Sequence, residues 1–497
     1  MRLALVLGTL GKLLQVFALA FLAPAALAVW DASQGGAWDG AWIFGGSFVV
    51  TGLAGLAASR WFESQPNLLR SEALAIVAGA WFVVAHFSAL PYWALGMDYF
   101  DGFFESMSGL TTTGATVFTT EDFASTDRAT FLWRSITHWI GGLGVIALFV
   151  VVLPQLGVAG RQILFAESST ATTEIVSPHF RSTARRLWVL YSGLTIAEIL
   201  ALVVFTPMQP FHAICNSMAT TAAGGFSPHP LSIMGYQSPA AEWIITLFMV
   251  LAGISFPLLW VGLFRRPREF WRDGEFRVYL GALVILALGI AAIRAGGFPG
   301  EDALRDAFFN SASAISSTGF ATSDWNVWPQ SAQMLLVLTM LVCSCAGSTG
   351  GGPKVVRLVL AFKHMHRELV RVLHPRGVLP IRHKGKPIPE EAMRTILAIV
   401  AVYFLGQLAL GTLLTLLGTP MVTSFTAAVA CVNNIGPGLA QAGPMENYSF
   451  LDPASTILCS IGMWLGRLEF VTVLVLLHPD VLRKVRWRRE SPAPGAA

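Results

Sequence analysis

The chain has 497 residues, of which 54% are hydrophobic and only 12% are charged. Soluble domains carry roughly 25% charged residues, so this composition excludes a water-soluble globular protein and predicts a polytopic membrane protein. The formal net charge of +4 excludes little, because the placement of the basic residues matters more than their sum. The five cysteines lie in or beside apolar segments, which favours buried thiols over disulfide or metal-binding roles.

Ten apolar segments have about the length that spans the hydrocarbon layer of a membrane. They fall at 13–29, 41–59, 72–96, 129–154, 187–207, 240–264, 278–296, 332–363, 393–418 and 454–478. The N-terminal segment has features of a signal peptide, but its apolar stretch is longer than usual and is interrupted by Lys12. A first membrane helix is therefore favoured there.

Four shorter stretches alternate with the later spans, at 100–116, 211–227, 303–321 and 422–440. Each has about ten mostly apolar residues followed by a polar turn that contains glycine. These stretches are too short to cross a membrane, so they predict re-entrant half-helices. Irregular backbone of this kind is tolerated at membrane depth only where protein or water satisfies its polar groups.

The first three turns align with one another. A polar residue and a serine stand nine and eight positions before a glycine, at Glu105/Ser106 before Gly114, Asn216/Ser217 before Gly225, and Asn310/Ser311 before Gly319. The fourth turn is looser and leaves both Gly436 and Gly438 as its counterpart. Because the aligned glycines are about a hundred residues apart, the chain contains an internal repeat of helix, half-helix with turn, and helix.

The sequence thus predicts an all-α integral membrane fold of four helix–pore-loop–helix repeats around a pseudo-fourfold pore, plus two extra N-terminal transmembrane helices. The expected boundaries are 1–69 for the two N-terminal helices, then 70–158, 159–268, 269–372 (with a broken inner helix) and 373–497 (with a basic tail) for the four repeats.

The basic residues indicate the orientation, because cytoplasmic loops carry an excess of lysine and arginine. If the N-terminus is inside, nearly all basic residues lie in inside loops, at Arg60, Arg70, Arg161–Arg186, Arg265–Arg277, Lys354–Arg394 and Arg483–Arg489. The outside loops are acidic, which places all four polar turns on the outer side. These acidic residues form a solvated face and could also attract cations.

The four turns have the chemistry of a cation pathway. A dehydrated monovalent cation needs oxygen ligands, which rings of backbone carbonyls and threonine hydroxyls supply in channel filters, and glycine permits the backbone angles that such rings require. The candidate ion-binding residues are Thr111, Thr112, Thr113, Gly114, Ala222, Ala223, Gly224, Gly225, Ser317, Thr318, Gly319, Asn434, Ile435, Gly436 and Gly438. No turn contains a TVGYG-like run, so a tight filter of several successive sites is not implied.

Five motifs resemble the membrane subunit of Trk-type potassium uptake systems, within the superfamily of Trk, Ktr and HKT transporters. They are TTTGAT at 111–116, WRSITHWIGGLGVI at 133–146, CAGSTGGGPKVVR at 345–357, NNIGPGLA at 433–440 and GRLEFVTVLVLL at 466–477. Two departures from the family pattern concern selectivity and gating, namely Ala222-Ala223 in the second turn and Pro353 after the triple glycine.

The resemblance implies that potassium, and sometimes sodium, permeates through one pore per subunit. It also implies a homodimer in the bacterial inner membrane, with both termini cytoplasmic, and a cytosolic nucleotide-binding regulatory partner with RCK domains. K⁺ would be the transported ion, and neither a tightly bound cofactor nor a nucleic-acid partner is expected.

Two features predict a gate. The segment at 332–363 is interrupted by Gly347, Ser348, Thr349, Gly350, Gly351, Gly352 and Pro353, which no continuous helix is expected to survive. Arg467 lies within the last apolar segment, where a charge is costly and usually faces a cavity or a partner. The resemblance implies that the glycine-rich loop obstructs the pore and that Arg467 is an electrostatic barrier below the filter. A passive kink, and a structural pair of Arg467 with Glu469 or a carbonyl, are the alternatives.

Other polar residues favour structural roles. Glu105 is expected to bond to the backbone of a neighbouring turn, and Arg134 and His138 to pack and hydrogen-bond rather than relay protons. The basic segment at 354–386 is either a face for lipid headgroups or a docking surface for the regulatory partner. A membrane-embedded enzyme is not favoured, because no nucleophile–base pair or metal cluster is found at membrane depth. A proton- or sodium-coupled secondary transporter remains the alternative function.

Overall fold

A computed structural model describes residues 2–62, 70–151, 180–296, 300–375, 377 and 379–483. Most of the inside connections predicted at 60–70 and 157–186, and the tail predicted at 489–497, lie outside these residues. The described chain is mainly α-helical, and its two short strands, β1 (Arg382–His383) and β2 (Lys386–Pro387), pair in an antiparallel hairpin.

The helices follow one another in chain order. They are α1 (Leu3–Ala18), α2 (Leu22–Ser33), α3 (Asp39–Trp61), α4 (Arg70–Ser88), α5 (Leu90–Ala94), α6 (Tyr99–Leu110), α7 (Thr120–Ser125), α8 (Arg128–Val151), α9 (Phe180–Phe205), α10 (Pro210–Ala222), α11 (Pro239–Ala252) and α12 (Phe256–Phe264). They continue as α13 (Pro267–Arg272), α14 (Gly274–Ala295), α15 (Glu301–Ser316), α16 (Gln330–Val342), α17 (Val355–Leu373), α18 (Glu390–Leu416), α19 (Met421–Val432), α20 (Pro453–Arg467), α21 (Phe470–Leu476) and α22 (Pro479–Leu482).

The chain separates into two compact units. Unit 1 comprises residues 1–103, 127–133 and 468–497, and unit 2 comprises 104–126 and 134–467. In unit 1, glycine allows α1 and α3 to approach closely, because a Cβ on Gly55 would lie 2.7 Å from the carbonyl oxygen of Gly11. The Trp133 ring stacks on Phe21 at 4.3 Å, and its Nε1 donates to the carbonyl oxygen of Ser88 at 3.1 Å.

Several helices are long and apolar enough to cross a membrane, so the expectation of a multi-pass membrane protein is confirmed. Within the described ranges six helices meet this description, at Leu3–Ser33, Asp39–Trp61, Ser71–Ala94, Arg185–Phe205, Gly274–Ala295 and Glu390–Leu416. A seventh span results if α11 and α12 are counted together. The other segments expected from the sequence, at 129–154, 332–363 and 454–478, are not among these helices.

Three of the ten expected spans are not continuous helices. The segment at 240–264 bends by 106° between α11 and α12, which sequence reasoning did not anticipate. The segment at 332–363 is interrupted between α16 and α17, as its glycine run predicts. The last segment also breaks, because Glu469 adopts a positive φ of 60° between α20 and α21, so Arg467 ends a helix rather than lying in the middle of one.

Four short helices coincide with the stretches predicted as half-helices. These are α6, α10, α15 and α19, with 12, 13, 16 and 12 residues. At 1.5 Å per residue they reach only about 18 to 24 Å, which is less than the hydrocarbon thickness. Each ends at one of the glycine-containing turns, and all four turns belong to unit 2.

Candidate ion pathway

The four turns share one backbone geometry. In each turn a residue in the left-handed region is followed two positions later by a glycine with positive φ. The pairs are Thr112 (51°) and Gly114 (82°), Ala223 (56°) and Gly225 (81°), Ser317 (58°) and Gly319 (86°), and Asn434 (54°) and Gly436 (97°). Gly436 is therefore the counterpart of the other three glycines. Gly438 lies elsewhere, because a Cβ on it would lie 3.0 Å from Thr426 of the fourth half-helix.

The same hydrogen bonds end each half-helix. The left-handed residue donates its N–H to the carbonyl three positions earlier, and the next residue donates to the carbonyl five positions earlier. For the first turn these are Thr112 to Gly109 at 3.1 Å and Thr113 to Ser108 at 2.9 Å, and the other three turns repeat both bonds at 2.8 to 3.2 Å. This is the Schellman arrangement that satisfies the last carbonyls of a helix. It turns the chain sharply out of the helix axis.

The turns form a closed ring in chain order. A Cβ added to Gly114 would collide with the carbonyl oxygen of Gly224, and one on Gly225 with that of Thr318. A Cβ on Gly319 would collide with the carbonyl oxygen of Ile435, and one on Gly436 would lie 2.6 Å from that of Thr113. Each turn thus places the carbonyl before its glycine against the glycine of a neighbouring turn, and the fourth turn returns to the first. Only glycine fits these four positions, both sterically and in φ.

The hydroxyls of the turns are largely engaged in hydrogen bonds. Thr113 Oγ1 lies 2.8 Å from Thr111 Oγ1 and accepts from Asn434 Nδ2 at 3.0 Å, and Thr318 Oγ1 lies 2.7 Å from Ser316 Oγ. Of the threonine hydroxyls in the first and third turns, only that of Thr112 is buried without a hydrogen-bond partner among the described residues. The oxygen ligands that the turns offer are therefore mainly backbone carbonyls.

A side chain in three of the half-helices holds the segment that follows its turn. Glu105 Oε2 accepts from the N–H of Val117 at 3.1 Å, Asn310 Oδ1 from that of Thr322 at 3.4 Å, and Thr426 Oγ1 from that of Leu439 at 3.0 Å.

The second turn departs from this pattern. The residue twelve positions after Asn216 is Pro228, which has no N–H to donate. Asn216 instead donates to the Tyr236 hydroxyl at 3.1 Å, and its Oδ1 has no partner among the described residues. The second turn, already unusual for Ala222 and Ala223, therefore lacks one support that the others have.

A buried ion pair joins the first and second turns. Arg134 Nη2 and Glu105 Oε1 are 2.8 Å apart, and the two side chains are 2% and 0% exposed. Glu105 also accepts from the Thr116 hydroxyl at 3.0 Å, while Arg134 donates to the carbonyl oxygen of Ser227 at 3.4 Å and lies 4.0 Å from the centre of the Phe226 ring. Glu105 therefore bonds to the segment after its own turn and not to a neighbouring turn as expected, and its main partner is an arginine that sequence reasoning did not connect with it.

His138 supports the second turn from the same helix as Arg134. Its ring stacks on Phe226 at 4.2 Å, and its Nδ1 accepts from the N–H of Phe226 at 3.5 Å. A Cβ on Gly224 would collide with this ring. Arg134 and His138 thus make the packing and hydrogen-bond contacts that the sequence predicts.

A cavity of about 80 Å³ adjoins the ring. Its lining includes Gly114, Gly225 and Gly319 together with residues that follow the glycines of the first, second and fourth turns. Among the described residues, Glu446 is the only acidic side chain in this lining, and Arg134 contributes a positive charge. The lining therefore carries few acidic groups.

The glycine-rich loop contacts residues that precede the ring. Thr349 Oγ1 donates to the carbonyl oxygen of Thr221 at 3.0 Å, and the N–H of Gly351 donates to Ser317 Oγ at 2.6 Å. A Cβ on Gly350 would lie 2.5 Å from the carbonyl oxygen of Ser316, and one on Gly351 would collide with that of Asn433. The loop therefore lies against the ends of the second, third and fourth half-helices.

The first and last residues of the loop are held by contacts outside the ring. The carbonyl oxygen of Gly347 accepts from the N–H of Phe256 at 3.0 Å, at the bend between α11 and α12, and Ser348 Oγ donates to the carbonyl oxygen of Cys345 at 2.6 Å. Gly352 packs against the Cys343 side chain so closely that a Cβ there would collide with its sulfur. The 106° bend thus makes room for the loop.

Two buried cations accompany the loop. Arg467 is 5% exposed, and it donates to the carbonyl oxygen of Thr349 at 2.8 Å and to that of Gly141 at 3.4 Å. Lys354 is 4% exposed, and its Nζ donates to the carbonyl oxygen of Gly350. Carbonyl partners are one of the alternatives that the sequence allows for Arg467. Arg467 also lies in the last turn of α20, where the helix dipole favours a positive charge.

Comparisons with known proteins show which family the chain belongs to. The TrkH family model, described as a cation transport protein, matches residues 48–480. The chain belongs to the TrkH family. The resemblance to Trk-type subunits is therefore confirmed, as is the expectation of a transport protein rather than an enzyme.

Individual members of the TrkH family align along nearly the whole chain. The Trk system potassium uptake protein TrkH of Escherichia coli K12 is 34% identical over 459 residues, covering 90% of this chain and 93% of that protein. TrkH of Halomonas elongata is 32% identical over 494 residues, covering 97% and 100%. The crystal structure of the potassium transporter TrkH from Vibrio parahaemolyticus superposes with a TM-score of 0.87 at 30% identity, covering 97% of this chain and 100% of that one.

Sequence reasoning missed several residues of this TrkH-family site. Sequence reasoning places Lys354 in the basic segment at 354–386, as part of a lipid or partner surface, although it is 4% exposed. Its position directly after three glycines and a proline, within an apolar stretch, is the signal that would have found it. Gly141 lies within the motif at 133–146 but is not singled out by sequence reasoning, and a Cβ there would collide with the carbonyl oxygen of Leu110.

Proposed function

We propose that this chain is the membrane subunit of a Trk-type potassium uptake system and conducts K⁺ through the ring of four turns. The observation that carries the proposal is the closed ring of carbonyls at Thr113, Gly224, Thr318 and Ile435, each against a glycine of a neighbouring turn. Carbonyl oxygens arranged around an axis replace the water shell of a monovalent cation. The names of the relatives supply the identity of the ion.

The test is rubidium uptake in a potassium-uptake-deficient bacterium. Wild type should restore growth at low potassium, whereas Gly114→Ser and Gly319→Ser should lose uptake or admit sodium, because their side chains would displace a neighbouring carbonyl. Gly281→Ser is the matched control, since nothing lies within 4 Å of a Cβ at Gly281. Failure of wild type to restore growth, despite normal membrane expression, would refute potassium uptake.

The gate in this proposal is the glycine-rich loop with Arg467. The loop lies against three half-helix ends, and Arg467 links it to Gly141, which packs on the end of the first half-helix. A positive charge in this position repels cations that leave the ring. Arg467→Ala should therefore raise cation flux, and unchanged flux at normal expression would contradict the barrier.

The finer organisation is proposed from the resemblance. The repeats would run over 70–158, 159–268, 269–372 and 373–497, with the turns outside and both termini in the cytoplasm of a bacterium, and the subunit would form a homodimer with a cytosolic RCK-type nucleotide-binding partner. An exposed apolar stripe on α17 supports a contact with another subunit or with the partner at this helix. It is formed by Phe362, Met365, Leu369 and Val372. Light scattering of the purified protein, alone and with a co-purified partner, tests this assembly.

One observation favours proton coupling as a second function. Glu198 lies within the span Arg185–Phe205, is 0% exposed, and neither carboxylate oxygen has a hydrogen-bond partner among the described residues. The neighbouring Thr220 hydroxyl donates to the carbonyl oxygen of Asn216 at 2.8 Å. If transport is proton-coupled through this group, a pH gradient should drive rubidium uptake in proteoliposomes, and Glu198→Gln should abolish that dependence.

A further inference from the structure

A carboxylate outside the ring holds both ends of the glycine-rich loop. Glu275 in the first turn of α14 is 6% exposed, and its Oε1 accepts from the N–H of Ala346 at 2.7 Å, just before the loop begins. The N–H of Val356, in the first turn of α17 just after the loop, also faces this carboxylate. A carboxylate at a helix N-terminus is stabilised by the free N–H groups and the helix dipole. Glu275 therefore bridges the two ends of the loop.

The β-hairpin is joined to this carboxylate through one ion pair. Asp273 caps α14 by accepting from the N–H of Glu275 at 3.0 Å and that of Phe276 at 3.1 Å. Its second oxygen lies 2.6 Å from Nζ of Lys384, at the tip of the β1–β2 hairpin, and both side chains are mostly buried. The hairpin thus holds Asp273 through Lys384, and Asp273 in turn holds the N–H of Glu275 at the start of α14.

An apolar contact joins the same elements independently. Ile381, immediately before β1, is 7% exposed and packs into one cluster with residues on both sides of the loop. The cluster contains Ala346, Val356, Leu360, Ile381, Met393 and Ile396. A displacement of the hairpin would therefore disturb both loop ends at once, through a polar path and an apolar path.

We propose that Glu275 is a positioning residue that keeps the glycine-rich loop closed, and that the hairpin at 381–388 sets its state through Lys384 and Asp273. The inference rests on the proposed function, because the loop must be the gate for its release to alter flux. A hydrogen bond to a charged acceptor is worth a factor of roughly 10 to 100 in an equilibrium constant. Loss of the Glu275 carboxylate should therefore raise the open fraction by about tenfold or more.

Radioactive rubidium uptake into proteoliposomes, with the purified full-length chain and no partner, tests the effect on flux. Glu275→Ala should raise uptake about tenfold, while Lys384→Met should raise it less, because it loosens only the hairpin. Glu275→Gln keeps an acceptor oxygen but not the charge, so its uptake should fall between those of wild type and Glu275→Ala. Glu391→Ala, at an exposed glutamate of the next helix, is the matched control and should leave uptake unchanged. Melting temperatures and elution profiles identify any variant that fails to fold.

Alkylation of Cys345 reports the loop itself. Cys345 precedes Ala346 and is 1% exposed, so a chain with the other four cysteines replaced by alanine should label slowly with a maleimide. Faster labelling in Glu275→Ala and Lys384→Met supports the proposed role of Glu275 and the hairpin in holding the loop. If labelling is faster but uptake is unchanged, the loop is held in this way but is not the gate. If Arg467→Ala raises uptake while Glu275→Ala and Lys384→Met label and transport like wild type, the proposed role of Glu275 is wrong and the gate stands.

Discussion

The buried pair Glu105–Arg134 offers the sharpest test of how the turns are held. The side chains are 0% and 2% exposed, and the carboxylate also receives the Thr116 hydroxyl and the Val117 N–H. Glu105→Gln keeps an oxygen for Val117 but leaves the guanidinium buried without a countercharge. Breaking one side of a buried pair costs about 3–5 kcal/mol, so the free energy of unfolding should fall by about that amount.

Denaturant titration in mixed micelles, followed by tryptophan fluorescence, measures this loss. The double variant Glu105→Gln/Arg134→Met should lose about 2–3 kcal/mol less than the sum of its single variants, because it leaves no unpaired charge. The exposed pair Arg128–Asp31, at 3.1 Å with 53% and 31% exposure, is the matched control. Asp31→Asn there should cost about 0–1 kcal/mol.

The same variants should weaken the preference for potassium over sodium, since Arg134 connects the segments that follow the first two turns through Thr116 and Ser227. Sodium and rubidium uptake in proteoliposomes, compared at equal protein, measures this preference. A Glu105→Gln variant that unfolds and discriminates like wild type would show that the pair does not hold the ring.

Three further outcomes are expected. Gly436→Ala should abolish rubidium uptake in cells, because its Cβ would meet the Thr113 carbonyl at a φ of 97°, whereas Gly281→Ala, with nothing near its Cβ, should leave uptake and expression unchanged. Lys354→Met should raise rubidium flux into proteoliposomes, since it removes a buried positive charge from the glycine-rich loop, and unchanged flux would exclude such a role. Burial, reinforced by neighbouring lysines, lowers the pKa of His383 to about 4. The unfolded hairpin therefore binds more protons than the folded one, and the folded hairpin loses stability as pH falls from about 6.5 toward 4. Hydrogen exchange of the hairpin at pH 7 and pH 5 should show this loss in wild type and not in His383→Gln.

The sequence by itself determined the features that depend on local chemistry. Hydropathy marks the long membrane helices, because an apolar segment that crosses the membrane must match its thickness. The glycine-containing turns and the interruption after Val342 follow from backbone preferences of a few adjacent residues. The family is also recognisable from short motifs, since these motifs contain the same glycine turns and the same interruption.

Only the tertiary structure decided which groups meet. Gly436 rather than Gly438 joins the ring because Asn434 takes the left-handed position, and both candidates look alike as glycines beside a proline. The 106° bend after α11 contacts a loop that lies about ninety residues further along the chain, through the N–H of Phe256 and the carbonyl oxygen of Gly347. Partners far apart along the chain leave no periodic signal in the sequence. The pairs Glu105–Arg134 and Glu275–Ala346 depend on how whole helices pack and not on the residues beside them.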